Sequence, residues 1–193
     1  FIIAPLKGHE FYRAARNVGG EFIQISPASK NCINIMEIRK VDNSVNELLD
    51  GPTLDASALA GKIQRLHIFF SLLIPDMSHE EKQLLDEALI KTYARKGITH
   101  KNESLTDPQH PEQYKKMPIL EDVYNVLLES EDTKRLAHIL NRLVHGSASS
   151  FNQQTNVDLT NKYTVLDISE LTGSSDLLTV GMFVALDYVW DKA

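Results

Sequence analysis

Phe1-Ile-Ile-Ala-Pro-Leu6 and Glu21-Phe-Ile-Gln-Ile-Ser26 are two apolar runs, and between them Phe11, Ala14, Ala15 and Val18 recur at helical spacing. Each run is long enough for a buried strand. Lys7-Gly-His-Glu10 makes the turn out of the first, Gly19-Gly20 stops the helix, and Pro27 closes the second strand. Two apolar strands joined by a helix form a βαβ unit, which implies a parallel sheet covered by helices.

Beyond about Asp55 the texture becomes helical. Leu59, Ile63, Leu66, Phe70 and Leu73 share one face, and Pro75 ends that helix. Ser78 and Glu81 have the spacing of a capping box for a second helix, with Leu84, Leu85, Ala88, Leu89 and Tyr93 inward and Gly97 as its close. Residues Ile98 to Lys116 are polar and contain Pro108 and Pro111, the signature of a mobile loop. Pro118 is placed to start a third helix, and Asp132 to cap a fourth that Gly146 terminates. Tyr163 to Ile168 then returns to strand texture. Asp176 is placed to cap a last helix with almost no polar face, as expected of a layer between the sheet and another subunit or domain.

At 193 residues, 42% hydrophobic and 24% charged, the chain falls in the ordinary globular range. No apolar run reaches the ~18 residues that a membrane-spanning helix needs. A net charge of -6 argues against a nucleic-acid grip over the whole surface, although a local basic patch stays open. Cys32 is the only cysteine, which excludes an intrachain disulfide and a thiolate zinc cluster and fits a cytoplasmic setting. The chain opens on Phe1 and stops at Ala193, and both ends read as cuts inside a longer protein or as trimmed disorder.

Three groups of residues invite a chemical reading. The strand that ends on Asp167, with Glu170 just beyond, has the form of a metal-binding carboxylate followed by a water-polarising one. An apolar strand running into an Asp-capped turn has the same form. Glu10 follows the first strand at the edge where open α/β sheets bind ligands, and a first-turn acid favoured by the helix dipole also sits there. Lys62, Arg65, Arg135 and Arg142 read as solvated helix faces, with Arg142 close enough to Gly146-Ser-Ala-Ser-Ser150 to reach a phosphate or a neighbouring subunit. The seven histidines show no metal-site spacing, and Cys32 has no arranged partner. No G-x-x-x-x-G-K-[S/T] occurs, so nothing here cradles a triphosphate alone.

The run Gly19-Gly-Glu-Phe-Ile-Gln-Ile-Ser-Pro-Ala-Ser-Lys-Asn-Cys-Ile-Asn-Ile-Met-Glu-Ile38 resembles the G-G-x-h-h-x-I-S-P-x-S-x-x-x-I-N-x-M-[D/E]-I signature (h, hydrophobic) of the VirB-four-like, TraC-like ATPases of conjugative transfer and type IV secretion. Gly146 to Leu171, with Phe151-Asn, Thr155-Asn and Leu166-Asp-Ile-Ser, is similar to a second segment of that family. The resemblance implies an α/β fold, a partial RecA-like P-loop NTPase sheet with a mostly helical inserted subdomain. Residues 1–50 would form the βαβ part, 51–150 the helical insertion, and 151–193 the strand and helix that return to the sheet. It places the Walker A motif before Phe1 and the true Walker B after Ala193, and makes Asp167 part of a neighbouring strand. The family's D-P-x-x-x-[E] stretch is matched to Ile3–Glu10, keeping Pro5 and Glu10, with four residues rather than three between them, but holding Ala4 at the Asp position.

On this resemblance the intact protein hydrolyses ATP with Mg²⁺ to drive channel assembly or substrate transport, and Glu10 is the candidate catalytic residue near the γ-phosphate. This segment alone would be inactive and hold no cofactor. The family works as a homo-hexamer in the cytoplasm, peripheral to the inner face of the cell membrane, with other type IV secretion components. Two alternatives stay open: a helical docking module without catalysis, and a DNA-pumping motor like the coupling proteins.

Overall fold

The strand most distant in sequence is the one at the centre of the sheet. The computed structural model describes residues 1–4, 9–39, 57–158 and 160–191, without the side chains at 4, 9 and 10. Strands β1 (Ile2–Ala4), β2 (Glu21–Gln24) and β3 (Thr164–Asp167) are ordered β1-β3-β2, and both pairings are parallel. Ile3 and Ile23 both stand opposite Leu166. All four residues of β3 are buried, as a central strand covered on both faces requires.

Helix α1 (His9–Asn17) links β1 to β2, so its connection steps across the slot that β3 fills. The Gly19-Gly20 pair ends the helix for two separate reasons. Gly19 has φ +68°, a conformation that a side chain disfavours. A Cβ on Gly20 would lie 2.6 Å from the carbonyl oxygen of Tyr163, because β2 enters the sheet against the residue that precedes β3.

Side-chain alternation along β3 divides the interior. Val165 packs with Ala15 of α1, with Ile2, Phe11, Phe22 and Tyr163 around them. Leu166 joins a larger core with residues of α2 (Ala58–Leu73), α3 (His79–Ala94), α4 (Leu120–Leu127), α5 (Lys134–Val144) and α6 (Ser175–Trp190). Leu66, Phe69, Leu85, Leu89, Leu140 and Val180 are fully enclosed there. This is an α/β fold with a helical subdomain.

The helix starts show local chemistry at work. Ser57 caps α2 by accepting from the Ala60 N–H at 3.2 Å. The expected capping box opens α3: Ser78 Oγ accepts from Glu81 N–H at 3.0 Å, and Glu81 Oε2 accepts from Ser78 N–H at 2.9 Å. Three other starts differ from expectation. α4 begins at Leu120 rather than Pro118, with the Ile119 N–H donating to Asp122 Oδ2 at 2.8 Å. Ser130, not Asp132, caps a 3-10 turn (Glu131–Thr133) that leads into α5. Ser174 occupies the cap position of α6, leaving Asp176 in the first turn, where its charge suits the helix dipole.

The stretch read as a mobile loop has a defined path. It contains a 3-10 turn (Asn102–Leu105) and a bridge between Thr106 and Tyr114, and Ile98 and Leu105 are buried. Two apolar anchors are enough to fix a polar connection whose composition alone reads as loose. The last helix is also less enclosed than its sequence implies, since Leu186 and Trp190 are exposed.

Candidate functional site

The carboxyl ends of the three strands coincide, with Ala4 and Gln24 both in register with Asp167. In open α/β sheets this edge is where ligands bind. Asp167 is buried, and its Oδ1 accepts from the Ser169 N–H at 2.9 Å while its carbonyl accepts from the Ile25 N–H at 2.8 Å. Its carboxylate therefore closes the turn after its own strand. Glu170 lies in the following 3-10 turn (Ser169–Gly173), exposed, and its Oε1 accepts from Gln24 Nε2 at 3.0 Å. The two acids thus have separate protein partners. Glu10 falls in the first turn of α1, and its side chain lies outside the described residues.

Magnesium at a nucleotide site is bound by one or two carboxylates together with substrate phosphates. Among the described residues no three His, Cys, Asp or Glu side chains come together as a metal-holding group. Asp167 uses Oδ1 to hold its own turn.

The two sequence segments that carry the family resemblance lie against each other. Asn156 Oδ1 accepts from the Cys32 N–H at 2.7 Å, and Asn156 Nδ2 donates to the Lys30 carbonyl at 2.6 Å. Thr155 Oγ1 accepts from the Asn34 N–H at 3.0 Å and Ser150 Oγ donates to the Ser26 carbonyl at 2.7 Å. Asn34 is fully buried, donating to the Pro118 carbonyl at 2.9 Å and accepting from the Met36 N–H at 3.0 Å. These short polar side chains replace the strand partners that the irregular segment after β2 lacks.

A second polar centre was not legible as one. Arg39, Lys62, Asp187 and Asp191 are almost fully buried together, with Arg65 partly exposed at their margin. Arg39 Nη1 is 2.8 Å from Asp191 and 3.4 Å from Asp187, Lys62 Nζ is 3.1 Å from Asp187, and Arg65 Nη1 is 2.5 Å from Asp191. Arg39 also lies 4.4 Å over the Tyr188 ring, a cation–π contact. Burial pushes the Lys62 pKa down, partly offset by Asp187. Burial also works against the Arg65 cation, but its bonds to Asp191 and Asp187 outweigh that and raise its pKa.

Lys62 and Arg65 are therefore not on a solvated helix face. The missed signal was their i, i+3 spacing on α2, matched by the i, i+4 spacing of Asp187 in α6 and Asp191 at its C-cap. Arg135 does face solvent, bonding Asp76 and Glu81, and Arg142 reaches Ser174 at 3.2 Å. His67 pairs with Asp86 at 2.8 Å. Cys32 is buried, and burial pushes its thiol pKa up to about 11, which disfavours the thiolate.

The fold defines an α/β chain with a small parallel sheet and a helical subdomain. No family model matches the sequence, and no curated protein matches it. Among solved structures, it is similar to VirB4 of Thermoanaerobacter pseudethanolicus, with a TM-score of 0.78 and 26% identity over 99% of this chain and 68% of that one. The likeness read from two motifs thus extends over nearly the whole chain, as a resemblance to VirB4. No helix among the described residues is long and apolar enough to cross a membrane.

Proposed function

We propose that this chain is the part of an ATP-driven type IV secretion motor that supplies sheet strands and a helical subdomain beside the nucleotide. The single observation that supports this most is the VirB4 match over 99% of the chain. The parallel sheet supplies the matching geometry: β1, β2 and β3 all end at one edge, and α1 starts there with Glu10 in its first turn. On this reading ATP and Mg²⁺ are held mainly by residues other than those described, and Glu10 lies near the γ-phosphate. Asp167 and Glu170 shape the edge without binding metal. Conjugative transfer, a RecA-like hexamer, contact with other secretion components and a place at the inner face of the membrane belong to the same proposal.

The test is ATP turnover by the intact polypeptide, wild type against Glu10→Gln. Loss of roughly 100-fold or more in the variant, as for removal of a group acting on the reacting water, supports the motor reading. Unchanged turnover removes Glu10 from the reaction. A folded intact protein with no turnover favours docking without catalysis.

A further inference from the structure

We draw no further inference here: the strongest candidate, the polar cavity of about 460 Å³ beside the segment after β2, lined in part by Glu37, Arg39, Tyr114, Lys116 and Tyr188, has its buried Arg39 and Tyr188 already bonded within the chain, and nothing in the structure shows what fills it.

Discussion

The sheet edge and the α2–α6 charge cluster are both polar, and they are built in opposite ways. At the edge, the exposed Glu170 has one bond to Gln24, and the buried Asp167 closes a local turn. In the cluster, five charged side chains from three separated stretches interlock, four of them almost without solvent. Taking charges out of water costs several kcal/mol per ion, which their mutual attraction offsets only with close geometry. The cluster is therefore an all-or-nothing structural unit that fixes how the segment after β2, α2 and α6 meet. At the edge the bonds are few and mostly local. Strongly bonded charge in this chain marks architecture, and lightly bonded charge marks the candidate site.

Breaking the cluster is the severest test of that contrast. Asp187→Ala leaves Lys62 and Arg39 buried with fewer partners and should lower stability by about 3–5 kcal/mol in urea unfolding. Lys62→Met combined with Asp187→Leu should cost less than Asp187→Ala alone; an additive loss would mean the ions act independently. Next in size is Gly20→Ala, which drives a Cβ into the Tyr163 carbonyl and should cost about 1–3 kcal/mol. Gly19→Ala meets no neighbour and should cost only the left-handed backbone term of about 1–2 kcal/mol.

Smaller effects probe the edge. Gln24→Ala and Glu170→Ala should each change stability by less than about 0.5 kcal/mol, because their mutual bond is solvent-exposed. A larger loss would make the edge structural. The slightest effect belongs to Glu81, whose pKa the Ser78 N–H and Arg135 hold below its ordinary 4.5. A lowered carboxyl pKa stabilises the fold above the unfolded value, and that contribution fades as pH falls below 4.5 through the folded value. Acid titration of thermal stability should show this decline in the wild type and a weaker one in Glu81→Gln.

The strands, the Gly19 stop and the Ser78–Glu81 box were legible because each depends on neighbours within a few residues. The family resemblance was legible too, since Ser26, Asn34, Thr155 and Asn156 keep fixed positions along the chain. Their reason was not: each bonds a segment more than a hundred residues away or a backbone group that periodicity does not encode. Asp167 illustrates the limit at the site. A strand-final Asp has one appearance in sequence whether it binds metal or caps a turn, and only the Ser169 N–H decides.

By itself, then, the sequence determined the helical and strand segments, the parallel sheet and the type IV secretion likeness, because local periodicity and ordered motifs are properties of one dimension. Tertiary structure alone decided that β3 lies between β1 and β2, that Lys62 and Arg65 turn inward to Asp187 and Asp191, and that Trp190 stays outside. Those outcomes depend on which distant surfaces meet. Desolvation and ion pairing act across that meeting, and no spacing along the chain records it.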